Sequence, residues 1–581
     1  MPHDAQRRDR LIAGAVGLAL FALFWFGRSR SFGAGDSAQH VLCAVTWGVP
    51  HPPGYPLQTA LGWLWSRLFF DHGAAVNGLS GLFAAAAAVV LFLLLRRSGC
   101  RRAAALTAAA FMAFSPLFWY YSLVAEVRAL NDLLALAAAY FALEWSRRGR
   151  ARSLDLFAAV LGLGVSHHPT FVLIIPALAV WLSARRPAPR EAARAGVIAL
   201  AALIAPYALL RARLAWSAPS YNLFEIADWR GLAELFLRTR LGGPWRMAAG
   251  GGSGFTLAGL AFQLLDFIEA LWTHAGPAAL ALAAAGAVVL WKRDRRGLLA
   301  WSLWFLAAAA VPIVLSSAEM AGRDPDYVRA VVARFYLLPM LAVFVLAGFG
   351  AERLLARARP ALGWLLAGAA CLFPLAMHPL GLAHENAQLD AARALVRDSR
   401  PGDLVVLGSD DLVFAALDLE LARGEGEGRV FLTPSVFGLP SYARFLARSH
   451  PDLRVPPPGS GGLTVDWAKW LDLNPGRSVL FEPGLLDAAL GLYPKSVPQG
   501  TLIRVLPEGG ASDPAADARR FLDAPETLEI TRWNVRPWTQ EIYLLKVRSV
   551  LAQWLASRLD PKRDAALLRE YAALLSVLRA P

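Results

Sequence analysis

Asp36 lies in the segment GDSAQH (Gly35 to His40), directly after an apolar run from about Leu11 to Gly27 and ahead of HPPGYP (His51 to Pro56). Gly and Pro at these places enforce sharp turns and stop a helix from continuing. A carboxylate there sits in a loop at the edge of an apolar segment, where it can act as a general base on a hydroxyl or bind a cation. The plain alternative for Asp36 is a helix N-cap, and for His51 a packed turn before Pro52. Two other connections carry acid or imidazole at the same level: Glu126, just inside one apolar run, and His167 with His168, between two others. An ionisable group at bilayer depth costs a few kcal/mol, roughly 3 at the centre, and usually marks a polar cavity. Taken singly, Glu126 is explained as a partner of Arg128 and the histidines as a wet helix end. Their convergence with Asp36 points to a cavity, with Gln39, His40, His51, Tyr55, Glu126, Arg128, His167 and His168 as its candidate substrate-binding residues.

Arginines complete the candidate set. Arg211, Arg213, Arg238, Arg240, Arg323, Arg329 and Arg334 fall in connections on the same side as Asp36, and a guanidinium there suits a phosphate head group. Arg238, Arg329 and Arg334 are the candidates for substrate binding, with solvated loop charge as the alternative for each. The chain carries no Walker-type loop, GxSxG, HExxH or CxxC pattern. Its cytoplasmic connections are too short for a nucleotide-binding domain. No metal site is expected, since Cys43, Cys100 and Cys371 are too scattered for zinc or a disulfide framework and are expected as free thiols.

The elements that must hold these residues follow from composition. Of 581 residues, 56% are hydrophobic, too apolar for a soluble protein of this size. The net charge of +14 comes as short clusters between apolar runs and forms no continuous basic face, which argues for membrane lipids as partners and against nucleic acid. The first run is expected as an uncleaved span, because no small-residue cleavage pattern precedes Arg28 and Arg30. Further runs lie near 74–95, 103–119, 123–145, 154–166, 170–183, 195–210, 277–291, 298–316, 335–350 and 361–380, giving about eleven transmembrane helices. Clusters at Arg96 to Arg102, Arg147 to Arg152, Arg185 to Arg194, Lys292 to Arg296 and Arg353 to Arg359 fall in every second connection. With the basic N-terminus they mark the cytoplasmic side. Asp36 and everything after residue 380 then face outward. Residues 257–272 are expected as an interfacial helix lying on the membrane.

The expected fold class is therefore a polytopic α-helical membrane protein. Its transmembrane domain spans 1–382 with a first outer loop over 28–73. A soluble extracytoplasmic α/β domain follows over 383–540, with buried strands at LVVLGS (Leu404 to Ser409), VFLTP (Val430 to Pro434), SVLFEP (Ser478 to Pro483) and TLIRVLP (Thr501 to Pro507). A helical hairpin over 541–581, broken at Asp560-Pro561, ends the chain. The alanine-rich, arginine-over-lysine composition points to a GC-rich bacterial genome and hence to a bacterial inner membrane.

GDSAQH, HPPGYPL, Asn77, FSPLFW (Phe114 to Trp119), AEVRALN (Ala125 to Asn131) and GLGVSHHPT (Gly162 to Thr170) resemble, in order, the membrane family of protein O-mannosyltransferase-like glycosyltransferases. The likeness covers about the first 180 residues. It implies a GT-C fold, a polyprenyl-phosphate sugar as donor, Asp36 as the catalytic base and HPPGYP as part of the substrate cleft. The family commonly has a Glu three residues after the Asp, where this chain has Gln39. That leaves a single-base mechanism intact and argues against a role needing both carboxylates, such as metal binding.

The function expected is transfer of a sugar, mannose being one candidate, from a polyprenyl-phosphate donor to a hydroxyl acceptor with inversion. Ser or Thr of an exported protein is the favoured acceptor, a glycan or lipid the alternative. No soluble cofactor is expected. The rival class is a lipid-sugar flippase or transporter, which predicts charge through the bilayer and inverted repeats. A non-catalytic scaffold is a third reading.

Overall fold

The computed structural model describes residues 3–69, 71–241, 243, 255–319, 325–356, 365, 368, 386–437, 439–456, 467–485, 496–505, 513–524 and 542–578. Helix α1 (His3–Gly27) leads into the first loop, which carries α2 (Ser37–Thr46) and α3 (Pro56–Ser66). Helix α4 (His72–Arg97) starts where the Asp71 carboxylate accepts the Ala74 amide at 3.2 Å, and it ends on Arg96 and Arg97, cations suited to a helix C-terminus. Helices α5 (Arg102–Ala113) and α6 (Pro116–Leu123) form one apolar segment bent by 66°, because Pro116 removes an amide and disfavours helix at Ser115. Then come α7 (Arg128–Arg148), α8 (Ala151–His167), a 3-10 turn Pro169–Ile174 leading into α9 (Ile175–Leu182), and the long α10 (Pro189–Trp216).

A short helix α11 (Trp229–Phe236) follows, then α12 (Leu257–Ala270), which passes through a π-turn and bends by 99° into α13 (Pro277–Arg293). Helix α14 (Arg295–Glu319) precedes α15 (Pro325–Ala333), the 3-10 turn Arg334–Tyr336 and α16 (Leu337–Leu355). Every expected span except the last coincides with a helix or a bent pair; the run 361–380 falls almost wholly outside the described residues. By length and composition, five helices among the described residues can cross a bilayer, or up to seven if each bent pair is one span. The number falls below eleven because α8 and α9 are short, α7 carries Arg128, Asp132, Glu144, Arg147 and Arg148, and the last run lies outside the described residues.

Small residues let these helices pack closely, as lipid-embedded helices must when no water drives them together. A methyl group on Gly286 would lie 1.9 Å from the Leu346 carbonyl, and one on Gly350 would lie 1.9 Å from that of Leu282. Helices α13 and α16 therefore meet backbone to backbone. The basic clusters converge at one end of the bundle. Asp9 pairs with Arg96 at 3.0 Å and Arg102 at 2.7 Å, Glu352 with Arg101 at 3.5 Å, and Glu144 with Arg148 at 2.9 Å, while Arg147 reaches the Arg97 carbonyl at 2.6 Å.

Helix α12, expected to lie on the membrane, divides its polar residues between the protein and the surface. Gln263 and Asp266 are buried, while Leu257, Leu264, Leu265 and Ile268 are exposed. Gln263 and Asp266 turn toward the protein, while Glu269 is exposed together with the apolar side.

The region beyond residue 386 contains a five-stranded sheet of order β2-β1-β3-β5-β4. Strands β1 (Leu404–Val406), β2 (Val430–Leu432) and β3 (Val479–Phe481) are parallel neighbours, and β4 (Ser496–Gln499) and β5 (Leu502–Val505) add antiparallel. Each expected strand is present. Strand β4 was not foreseen because Pro498 reads against a strand, yet proline is tolerated at a sheet edge, where β4 lies. The core of this layer is continuous with the first loop: Val41, Leu42 and Val49 belong to the same cluster as Val405, Leu412 and Leu480. The boundary expected at 382/383 falls outside the described residues, as does most of the stretch before 541. Helices Ile542–Ser557 and Ala565–Leu578 form a hairpin at whose turn the Asp560 carboxylate accepts the amides of Lys562 and Arg563, each at 2.8 Å. Cys43 and Cys100 are free and buried, and Cys371 lies outside the described residues.

Candidate active site

Asp36 occupies the N-cap position of α2, yet its carboxylate makes no capping hydrogen bond. It accepts instead from Arg334 Nη1 at 2.7 Å. The same nitrogen lies 3.5 Å from Glu126 Oε1, so one guanidinium joins two acids brought from the first loop and the α6–α7 junction. The capping alternative is thereby set aside. Glu126 pairs with Arg334 across the fold, although Arg128 is its neighbour in sequence.

The loop bearing Asp36 is held by Asn77 on α4. Its Nδ2 donates to the carbonyls of Ser29 at 2.9 Å and Ser31 at 2.8 Å, and its Oδ1 accepts the Ala125 amide at 2.7 Å. One amide side chain thus ties the approach to Asp36 to the residue before Glu126. Asn77 belongs to the ordered motif series but was not among the expected site residues. A lone Asn at the start of an apolar helix gives no sign of which backbone it will bind.

His51 lies beside Asp36, Nδ1 to Oδ1 3.9 Å, and its Nδ1 donates to Gln39 Oε1 at 2.5 Å. Gln39 in turn donates from Nε2 to the Tyr221 hydroxyl at 2.6 Å. A carbonyl oxygen can only accept, so His51 carries its proton on Nδ1 and presents a free lone pair at Nε2. The Tyr55 hydroxyl faces that lone pair at 3.4 Å. Gln39 therefore serves as a fixed orienting group for His51.

Tyr55 is the hub of the imidazoles. Its ring lies 5.4 Å from His40, 5.3 Å from His51, 6.2 Å from His167 and 5.9 Å from His168, the last nearly parallel. Its backbone has φ of +40°, a left-handed conformation that costs a residue with a Cβ. The turn HPPGYP holds it there, with the Tyr207 hydroxyl donating to the Pro53 carbonyl at 2.8 Å. His167 donates from Nε2 to the Val127 carbonyl at 2.9 Å, and His168 Nδ1 accepts from the Thr170 amide at 3.2 Å. Both imidazoles are buried, so neither is a wet helix end.

Burial alone would raise the Asp36 carboxyl, but protonated His51, Arg334 and His40 outweigh it and hold its pKa below the usual 3.8. Burial lowers His51 to about 4 against the pull of Asp36, so at neutral pH the imidazole is neutral and Arg334 is the cation that keeps Asp36 ionised. Burial pushes Tyr55 up to about 12. The site is under-satisfied as well as polar: His40 Nε2, His167 Nδ1, Arg128 Nε, Arg238 Nε and Arg334 Nε are buried without a hydrogen-bond partner among the described residues. Buried polar atoms normally find partners. Three cationic side chains with spare buried N–H groups suit an anionic ligand. Gln58, with both amide atoms unpartnered, and Asp132 share this condition and were missed because isolated polar residues in apolar helices show no pattern.

Of the expected residues, Asp36, Gln39, His40, His51, Tyr55, Glu126, His167, His168 and Arg334 come together. Arg128 stands against the Phe335 ring at 4.5 Å, next to Arg334, and Arg238 is close enough for its charge to act on His51 and Tyr55. Arg329 belongs elsewhere. It pairs with Asp266 at 2.8 Å, Glu269 at 3.4 Å and Asp326 at 3.9 Å, so its charge is matched by protein carboxylates. Arg240 is likewise held, by Glu234 at 3.0 Å. Arg323 lies outside the described residues. Among the described residues, no group of three or more His, Cys, Asp and Glu side chains is placed to hold a metal ion.

Residues 36–191 match the family model described as the Protein O-mannosyl-transferase TMEM260 N-terminal domain. The chain resembles the TMEM260 protein O-mannosyl-transferases. It is 28% identical over 424 residues to Protein O-mannosyl-transferase TMEM260 of Mus musculus, covering 69% of this chain and 59% of that relative. To the Dictyostelium discoideum protein of the same description it is 24% identical over 357 residues, covering 55% and 42%. The chain thus spans about three-fifths or less of the length of these relatives. Among solved structures, ArnT from Cupriavidus metallidurans bound to undecaprenyl phosphate superposes with a TM-score of 0.52 at 13% identity, covering 86% of this chain and 99% of that one. Its apo state gives the same score. The fold is GT-C-like, and the chain is a multi-pass membrane protein.

Proposed function

We propose that this chain is a membrane glycosyltransferase that moves a sugar from a polyprenyl-phosphate donor to a hydroxyl acceptor with inversion at the anomeric carbon. The observation that carries the reading is the Asp36–Arg334 contact of 2.7 Å in a pocket whose other arginines keep unpartnered N–H groups. The likeness to proteins named O-mannosyl-transferases supports a sugar transfer, with mannose as the first sugar to test. ArnT, bound to undecaprenyl phosphate, supports the lipid-phosphate donor.

In this mechanism Arg334 exchanges partners. With the site free of donor it neutralises Asp36; a phosphate arriving beside it draws the guanidinium away and releases the carboxylate as a base. The acceptor oxygen then forms its bond to the anomeric carbon while the bond from that carbon to the phosphate oxygen breaks. Asp36 takes the acceptor's proton. The departing polyprenyl phosphate keeps the bonding electron pair, and Arg334, Arg128 and Arg238 stabilise its growing charge in a low-dielectric site. His51, held neutral and oriented by Gln39, shapes the Asp36 side of the pocket. The leaving group already carries its phosphate, so the reading calls for no soluble cofactor.

The basic end of the bundle, on the positive-inside rule, faces the cytoplasm, and the pocket then opens on the opposite face, toward exported acceptors. The shorter helices would lie within the bilayer and bring the spans toward eleven. The acceptor proposed is Ser or Thr of an exported protein.

The test is transfer from a polyprenyl-phosphate sugar by the purified chain. Asp36→Asn is expected to lower the rate about 10²–10⁴-fold; wild-type turnover in that variant would sink the mechanism. Intact-mass analysis of exported proteins with and without the gene would then name sugar and acceptor.

A further inference from the structure

The segment that carries Arg334 is a junction: α15 ends at Ala333, a single 3-10 turn holds Arg334 to Tyr336, and α16 begins at Leu337. A 3-10 turn has poorer hydrogen-bond geometry than an α-helix. Arginine also carries considerable rotamer freedom. Holding its Nη1 at 2.7 Å from Asp36 therefore needs the junction itself to be fixed from outside.

Asp266, on α12, supplies that hold. Its Oδ1 accepts from Arg329 Nε at 2.8 Å and its Oδ2 from the Tyr336 hydroxyl at 2.7 Å. One carboxylate thus grips the chain on both sides of Arg334. Asp266 is 4% exposed and Tyr336 1%. The Phe267 ring, next along α12, lies 5.0 Å from the Tyr336 ring and 5.9 Å from that of Phe305 on α14. From the far side, Lys546 of the C-terminal hairpin reaches Asp326 at 3.1 Å.

A stability role alone does not account for this arrangement. Burying a carboxylate with an arginine recovers little beyond its own desolvation, and apolar residues of similar volume commonly serve a core as well or better. Nor is Arg329 placed for an incoming phosphate, since its charge is met by Asp266, Glu269 and Asp326.

We propose that Asp266 is a positioning residue for the transfer reaction, clamping Arg329 and Tyr336 so that Arg334 points at Asp36 and at the donor phosphate. The assignment rests on the functional reading above. It predicts that Asp266 touches no substrate and acts only through Arg334.

The experiment uses the full chain in lipid nanodiscs, with kcat and KM for a polyprenyl-phosphate mannose donor, binding of undecaprenyl phosphate and thermal stability measured on the same samples. Asp266→Asn is expected to lower kcat about 10- to 100-fold, the scale of a small misplacement relayed from a distance, and to weaken undecaprenyl phosphate binding, with acceptor KM unchanged. Asp266→Glu should recover part of the loss. On an Arg334→Gln background, Asp266→Asn should cost nothing further, since the group it positions is gone. Wild-type kcat in folded Asp266→Asn, or losses that multiply in the double variant, would overturn the assignment. Should Asp266→Asn fail to fold, Tyr336→Phe removes one arm of the clamp, and the same two outcomes decide. A wild-type chain that neither binds undecaprenyl phosphate nor transfers sugar would instead bring down the functional reading, a result read without any variant.

Discussion

The two ends of the helical bundle handle charge in opposite ways. At the basic end, acids stand between arginines: Asp9 meets Arg96 and Arg102, Glu144 meets Arg97 and Arg148, and Glu352 meets Arg101. At the other end, Arg334 holds Asp36 and Glu126, but Arg128, Arg238 and Arg334 each keep a buried N–H, and His40 and His167 a ring nitrogen, without a partner among the described residues. Arg97 Nη1 is the basic end's one comparable cationic atom among the described residues. Matched charge serves packing and orientation. Unmatched buried polarity is costly in a folded protein, and beside Asp36 it suits an anionic ligand that would complete it.

That contrast predicts different phenotypes. Arg334→Gln should lower sugar transfer about 10²–10³-fold, the loss typical of a group that stabilises transition-state charge, and should also lower thermal stability, because Asp36 and Glu126 are left without their shared cation. Asp9→Asn should touch stability alone. It leaves two arginines facing each other without their acid and is expected to cost about 1–3 kcal/mol of stability, with kcat per folded molecule unchanged. Equal losses of turnover in both variants would erase the distinction between the two ends.

Asn77→Ala tests a residue that belongs to both classes. It removes three hydrogen bonds around the first loop, each worth about 1 kcal/mol net, and it frees the loop that carries Asp36. Stability and turnover should fall together, by about 2–3 kcal/mol and about tenfold. A loss of stability with turnover intact would show that the loop holds Asp36 without this staple.

The smallest expected effect is in pH. His51 titrates at about 4 when folded against 6.5 when free, so between those values the unfolded chain binds the extra proton and stability falls as the pH drops. Glu420, near the sheet, has the opposite sign: burial raises it from 4.5 to about 7, and folding is favoured as the pH falls through that window. These two contributions oppose each other between about 4.5 and 6.5. The pH profile of transfer should show an acid limb near 4 that His51→Gln removes. A limb that survives the substitution assigns it to another group.

Much of this was legible in residue order. Asp36, the paired histidines and HPPGYP were recognisable because turn-forming residues and ionisable groups next to apolar runs are local signals, and strands β1, β2, β3 and β5 because buried strands read as short apolar bursts. Arg329 and Arg334 were indistinguishable, five residues apart with the same side chain. Nothing local says that Asp266, from a helix some sixty residues earlier, takes one and leaves the other for Asp36. Tyr221, Gln58 and the edge strand β4 were hidden for the same reason, since their roles depend on neighbours far along the chain.

The sequence by itself determined that the chain is mostly membrane-embedded helix, where its basic connections fall, and that acid and imidazole collect at one level, because hydropathy and charge order are properties of the chain alone. Tertiary structure decided the pairings. Asp36 faces Arg334 where a helix cap was possible, Glu126 passes over Arg128, and Gln39 orients His51. Each choice depends on which side chains the packed helices carry within about 3 Å of one another, the reach of a hydrogen bond.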